Sequence, residues 1–178
     1  SVVVAYSGGV DSSFLAEVAH GKLGDRCLAV TASSPSLPSW ELEEAVELAG
    51  MLGLHHRVIE TGEVQEPGYA ANGARRCYFC KDHLYGRFQS IAQAEGYAFV
   101  VDGTTLDDRQ EFRPGAEAAQ QWGVRSPLVE TGFTKEEIRR FSHQMGLPTW
   151  DRPPQACLAS RIPYGTPVTI ETLQQIAR

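Results

Sequence analysis

An α/β fold, doubly wound around a mainly parallel five-stranded sheet with helices on both faces, is predicted by three features of this 178-residue sequence. Short apolar, β-branched runs recur along the chain. Longer stretches with apolar residues at helical spacing lie between them, the alternation that builds a parallel sheet. The first apolar run leads straight into "YSGGVDSS" (6–13), a glycine-rich turn between a strand and a helix.

Taken in order, "SVVVAY" (1–6) is a buried strand. Residues 12–23 carry Phe14, Leu15, Val18 and Ala19 at helical spacing. "RCLAVTA" (26–32) is a second strand, and 38–54 a helix with Ser39 as N-cap and acids in its first turns. "HHRVIE" (55–60) is a third strand, and 61–76, punctuated by Gly and Pro, a loop. A helix over 80–96 leads into a fourth strand, "YAFVVDG" (97–103). A short helix near 114–122 and a weak fifth strand around "VRSPLV" follow. Thr134 and Glu137 form a capping box for a helix over 134–146. A proline-rich irregular loop then precedes a last helix that starts at "TIETLQQIAR".

The length fits one domain with a full core. A hydrophobic content of 42% and 21% charge are ordinary for a soluble globular protein. No apolar run approaches the roughly 20 residues of a membrane span. Sixteen basic residues against 22 acidic ones give a net charge of −6. That balance speaks against a broad nucleic-acid surface, which relies on Lys and Arg. A domain of this size does not need Cys27, Cys77, Cys80 and Cys157 as disulfides, so reduced thiols in a cytoplasm are expected.

The opening turn has the parts of a phosphate site. Gly8 and Gly9 allow close backbone approach to an anion. The amides from Val10 to Ser13 point outward at a helix N-terminus, where the dipole favours negative charge. Ser7, Ser12 and Ser13 add hydroxyls. No Gly-Lys-Ser/Thr follows, so the turn is not a Walker A loop. Asp11 would repel phosphate unless it caps the helix or binds Mg²⁺. A bland Gly-rich turn with a helix cap is the alternative.

"SGGVDSS" resembles the SGGxDS signature of the PP-loop ATP pyrophosphatases. "RRCYFCK" (75–81), "DGTTLDDRQEFRPG" (102–115) and "PPQACLASRIPYG" (153–165) together resemble the LarE family, ATP-dependent sulfur transferases (sulfur insertases) of nickel-pincer nucleotide synthesis. The similarity runs along nearly the whole chain, which makes residues 1–178 one PP-loop domain; the family's smaller C-terminal domain is expected beyond them. The resemblance implies a five-stranded adenine nucleotide alpha hydrolase-like core. ATP would be held by Ala5, Ser7, Gly8, Gly9, Val10, Asp11, Ser12, Ser13, Thr31, Ser33, Gly103 and Thr104, with Mg²⁺ on Asp11. It also implies a nucleotide substrate, pyridinium-3,5-biscarboxylic acid mononucleotide, whose phosphate Ser160, Arg161 and Arg76 would hold. A carboxylate is adenylated, pyrophosphate leaves, and sulfur replaces the activated oxygen. Relatives form homo-oligomers, and no nucleic acid or membrane takes part.

Cys77 and Cys80 form a C-x-x-C, which alone is open between metal, cluster, redox dithiol and chance. The family's active-site cysteine falls on Cys157. In one branch that cysteine gives up its sulfur and is left as dehydroalanine. In another, three cysteines hold a [4Fe-4S] cluster that delivers an extra sulfide, and Cys77, Cys80 and Cys157 match this second pattern. Zinc is disfavoured by the scarcity of histidine at ligand spacing, although His83 is close. Cys27 reads as a core residue. Arg75, Arg76 and Lys81 either lower thiol pKa values, hold substrate anions or form a solvated face. Asp107 and Asp108 are Mg²⁺ ligands or helix caps, and Arg109 and Arg113 substrate contacts or surface ion pairs. Three rivals remain: a tRNA thiolation enzyme, an amide-forming synthetase of the same superfamily, and an ATP-binding sensor that performs no chemistry.

Overall fold

In a computed structural model, residues 1–110 and 114–177 are described. Among them four strands form one sheet: β1 (Val2–Ala5), β2 (Cys27–Ser33), β3 (His56–Glu60) and β4 (Phe99–Val101). Their order is β3-β2-β1-β4 and every pairing is parallel. Eight α-helices accompany them: α1 (Val10–Leu23), α2 (Ser39–Met51), α3 (Pro67–Ala70), α4 (Arg76–Glu95), α5 (Pro114–Gln121), α6 (Pro127–Glu130), α7 (Lys135–Gln144) and α8 (Ile170–Ile176).

The period of two along each strand sorts side chains to opposite faces. Val4, Cys27, Ala29 and Val101 pack with Phe14, Leu48 and Ile138, so α1, α2 and α7 cover one face. Val3, Leu28, Val30 and Val100 pack with Tyr85, Phe88 and Ala118, so α4 and α5 cover the other. Helices on both faces explain why the strands read as continuous apolar runs. A third cluster stands apart from the sheet: Leu158, Ala159, Ile162, Val168 and Leu173 bury against Tyr69 and Phe79.

Among the described residues the expected five-stranded sheet has four strands. Arg125 makes a single parallel bridge to Val101, donating to Val100 O and accepting from Asp102 N. Pro127 then opens α6. A proline has no N–H for a ladder and a φ suited to a helix start, which ends the pairing after one bridge. The Ser39 cap is also corrected. Pro38 occupies the N-cap position and no side-chain bond closes it. The Thr134–Glu137 capping box forms as expected, with Glu137 N donating to Thr134 Oγ1 at 3.3 Å.

Two boundary shifts matter for the site. Helix α1 begins at Val10, directly after Gly9. Helix α4 begins at Arg76, so Cys77 and Cys80 lie on its first turns, three residues apart and on neighbouring positions of one face. No helix among the described residues is long and apolar enough to cross a membrane. The side chain of Arg109, and Arg113 altogether, lie outside the described residues.

Candidate nucleotide and thiol site

The turn after β1 is organised by its own serines. Ser12 Oγ accepts from Ser7 N at 3.2 Å, lies 3.0 Å from Ser7 Oγ, and donates to Gly9 O. Gly9 N reaches Ser7 Oγ at 3.4 Å. Gly8 takes φ +74°, and a Cβ there would sit 2.9 Å from Ala45 Cβ of α2. Both conformation and space therefore demand glycine. Gly8→Ala is expected to cost at least about 1–2 kcal/mol of stability and to weaken ATP binding, as thermal unfolding and ATP titration would show.

The exit of β4 closes onto this turn. A Cβ on Gly103 would lie 3.0 Å from Ser12 N and 3.1 Å from Asp11 C, so only glycine lets the two backbones meet. Asp102 is buried beside it. Its Oδ2 accepts from Tyr85 OH and its Oδ1 from Ser126 Oγ, both at 2.7 Å, and Thr104 N adds a third donor at 3.2 Å.

These elements line a cavity of about 530 Å³ at the carboxyl ends of the strands, where ligands of open parallel sheets bind and of a size suited to a nucleotide. Of the residues expected to hold ATP, Ala5, Ser7, Gly9, Val10, Asp11, Ser12, Gly103 and Thr104 line it. The expected contacts Gly8, Ser13, Thr31 and Ser33 do not line it. Gly8 packs on α2. Ser13 is fully buried in α1. Thr31 donates to Tyr6 O at 2.9 Å and meets His56 Nε2 at 2.8 Å.

The cavity also has a cationic wall that the sequence did not signal. Lys135 and Arg139 of α7, Arg152 of the following loop and Lys81 of α4 all line it. Arg139 ties the segment down by donating to Trp150 O and Arg152 O, and Arg152 donates to Gly8 O at 3.1 Å while pairing with Glu44. The Tyr85 oxygen that faces Lys81 holds its ammonium above the ordinary lysine value, against the opposing effect of burial. Lys81 of α4, the α7 pair Lys135 and Arg139, and Arg152 lie on separate segments, and only the fold brings them together. Lys81 alone carried a signal, its place beside the C-x-x-C.

Asp11 and Asp108 share the cavity. Asp108 is bridged by Lys135 at 2.7 Å and accepts from Thr105 N and Oγ1. Burial, then the neighbouring Asp108 carboxylate, raises the pKa of Asp11. Two carboxylates that repel one another beside a phosphate loop are a donor set suited to a hard divalent cation. Asp107 is turned to a different task and accepts from Lys135 N, at the start of α7.

Leu37 is shared with a second, smaller cavity of about 170 Å³. Cys80, Cys157, His83, Tyr69, Ser36 and buried Glu63 line it. Burial pushes the Cys80 thiol up to about 12, with smaller contributions from Glu63, Cys157 and Cys77. Cys157 is exposed and precedes a short 3₁₀ turn, Leu158–Arg161; Ser160 Oγ donates back to Cys157 O at 2.7 Å. Arg161 is exposed; burial and then Glu44 raise the pKa of Glu41, in the wall of the larger cavity, and Arg161 opposes that rise. Cys77 is exposed and lines neither cavity. Among the described residues no three Cys, His, Asp or Glu side chains converge on a single metal ion. Cys27 is a core residue, its thiol pushed up to about 11 by burial. Arg76 is buried and bound to protein carbonyls.

No protein-family model matches the chain. It is 48% identical over 99% of its length to an uncharacterized protein of Synechocystis, of which it spans 66%. It is 33% identical over 98% of its length to the pyridinium-3,5-bisthiocarboxylic acid mononucleotide synthase of Lactiplantibacillus plantarum, of which it spans 64%. The chain thus spans just under two thirds of these curated relatives. Among solved structures, NMN synthetase from Francisella tularensis superposes with a TM-score of 0.65 at 20% identity, over 86% of this chain and 66% of that one, a likeness of fold.

Proposed function

We propose that the chain is a LarE-type member of the PP-loop ATP pyrophosphatases, an ATP-dependent sulfur transferase acting on a carboxylate of a pyridinium dicarboxylate mononucleotide, a reading supported by its 33% identity to the pyridinium-3,5-bisthiocarboxylic acid mononucleotide synthase. The observation that supports this reading is a pair of cavities that share Leu37, one lined by the turn after β1 and one by Cys80 and Cys157. With ATP in the first and the sulfur donor in the second, activation and sulfur delivery would lie side by side.

The steps follow from the residues. ATP lies with its phosphates over the amides of α1 and the hydroxyls of Ser7 and Ser12. Lys81, Lys135, Arg139 and Arg152 face the charge that develops as pyrophosphate departs, the preorganised electrostatic stabilisation that phosphoryl and adenylyl transfer require. Asp11 and Asp108 would hold Mg²⁺, which supplies charge neutralisation between the phosphate oxygens. The substrate carboxylate oxygen attacks the α-phosphorus, the bond to the β-phosphate oxygen breaks, and an acyl adenylate forms. Arg161 and Ser160, beside Cys157, hold the substrate's phosphate. The Cys157 sulfur adds to the acyl carbon, and AMP leaves with the former carboxylate oxygen. Loss of the Cys157 Cα proton then breaks its Cβ–S bond, which leaves a thiocarboxylate and dehydroalanine.

A second reading keeps the activation step and takes the sulfur from a [4Fe-4S] cluster on Cys77, Cys80 and Cys157. It is supported by the placement of Cys77 and Cys80 on the first turns of α4 and of Cys80 and Cys157 around one cavity, and it requires Cys77 to turn inward. Anaerobic purification with iron and sulfide analysis decides between the two. About four irons per chain, lost in Cys77→Ser, support the cluster. An iron-free protein whose mass falls by one H₂S after turnover supports sacrifice of Cys157. The reading carries with it a reduced cytoplasmic setting, a homo-oligomer, and a small nucleotide rather than nucleic acid as partner.

A further inference from the structure

The segment that follows Cys157 is fastened to the protein by two buried polar side chains. Asn72 is fully buried and takes a left-handed φ of +52°. Its Nδ2 points at three carbonyls of the segment: Thr166 O at 2.8 Å, Pro163 O at 2.9 Å and Ile162 O at 3.4 Å. Its backbone O accepts from Gly165 N, and two residues earlier Ala70 O accepts from Val168 N. Arg76 Nη1 donates to Asn72 Oδ1 at 2.8 Å and to Ala159 O at 2.7 Å, with the guanidinium 5.8 Å from the Tyr164 ring.

This arrangement is costly. Asparagine is, after glycine, among the residues most at ease in the left-handed region, so the cost lies mainly in burying Arg76. Arg76 is 5% exposed, and its partners among the described residues are neutral oxygens and a ring. Buried polar networks of this kind specify geometry more than they stabilise. What they specify here is one loop. Leu158 N donates to Ser36 O, and the Ser36 hydroxyl, in the wall of the thiol cavity, meets Tyr69 OH of α3. Ala159 is held by Arg76, and 162–166 by Asn72. Cys157 lies one residue before the first anchor, and Ser160 and Arg161 lie between anchors.

We propose that Asn72 and Arg76 are positioning residues, a latch that sets Cys157, Ser160 and Arg161 against the nucleotide cavity for sulfur transfer. The proposal rests on the reading of Cys157 as the sulfur-delivering residue. It also assigns Arg76 to the protein's own carbonyls rather than to substrate phosphate. Misplacement of a reacting group by about 1 Å can cost about 100-fold in rate, so a released loop slows sulfur transfer without touching ATP.

Asn72→Gly deletes the side chain while keeping a residue at ease with positive φ. Arg76→Lys keeps the charge and loses the planar fork, and serves where the first variant folds poorly. Hydrogen exchange is followed in peptides covering 158–168 and 27–33, together with ATP-dependent thiocarboxylate formation. Exchange about tenfold faster in 158–168 alone, with the single-turnover rate constant for thiocarboxylate formation lowered about 10–100-fold and half-saturation by ATP within about twofold, is the expected result. Unchanged exchange, or equal acceleration in both segments, overturns the latch. So does weaker half-saturation by the nucleotide substrate at an unchanged limiting single-turnover rate, which would return Arg76 to substrate binding. A parent chain that makes no thiocarboxylate contradicts the proposed function, while the exchange result still decides the latch.

Discussion

Cys157→Ser is expected to abolish thiocarboxylate formation, a loss on the order of 10³-fold or more, while pyrophosphate release from ATP and substrate persists for a single turnover. The expectation follows from where the residue sits. Cys157 is at the wall of the thiol cavity, separated from the nucleotide cavity by Leu37, and lines no part of the phosphate site. Serine keeps the shape and the backbone bonds of the 3₁₀ turn, including the Ser160 hydroxyl donated to residue 157 O. Only the sulfur is lost. The acyl adenylate then stalls or hydrolyses. Single-turnover quench experiments separate the two half-reactions. Equal loss of both would mean that Cys157 acts in activation, and the division of labour between the cavities would be wrong. Cys80→Ser is the informative companion. Its thiol is pushed up to about 12 by burial, so it is protonated at neutral pH and a poor nucleophile. A smaller loss than at Cys157 is expected wherever Cys157 is the donor.

Asp11→Asn is expected to lower pyrophosphate release by about 10²–10³-fold, the scale of removing one preorganised charge from an active site. ATP binding in the absence of divalent cation should hold or tighten, because a negative group has been removed from beside the phosphates. The pH dependence provides a second readout. Burial and the Asp108 carboxylate raise the Asp11 pKa, and only its ionised form can hold a cation. Activity therefore falls as pH drops through that raised value, at a higher pH than an exposed aspartate would give. The acid limb should move down or vanish in Asp11→Asn. An unchanged pH–rate profile would show that the cation rests on other groups.

Much of the fold was legible because its signals are local. The apolar runs of β1 and β2, the glycine pair after β1 and the Thr134–Glu137 box all act within a few residues. The missing fifth strand was misread for a local reason as well. "VRSPLV" has strand-like composition, and Pro127 overrides it. The C-x-x-C was legible as a pair of thiols but not as the first turns of a helix, since nothing at 73–76 resembles a helix cap and Arg75 supplies none. The phosphate-facing backbone was legible in "SGGVDSS". The cationic wall was not, because Lys81, Lys135, Arg139 and Arg152 meet only once α4, α7 and the 150–152 segment are folded over the sheet. Arg76 shows the opposite error. A basic residue beside cysteines suggests a substrate anion, yet the buried partner that claims it, Asn72, lies in a stretch that reads as plain loop.

The most direct test labels both oxygens of the substrate carboxylate with oxygen-18 and follows turnover by mass spectrometry. The account predicts one labelled AMP and one pyrophosphate for each sulfur gained, because the oxygen that attacks the α-phosphorus leaves with AMP. ADP and phosphate as products, or unlabelled AMP alongside a thiolated product, would contradict adenylation as the step that prepares the carboxylate for sulfur.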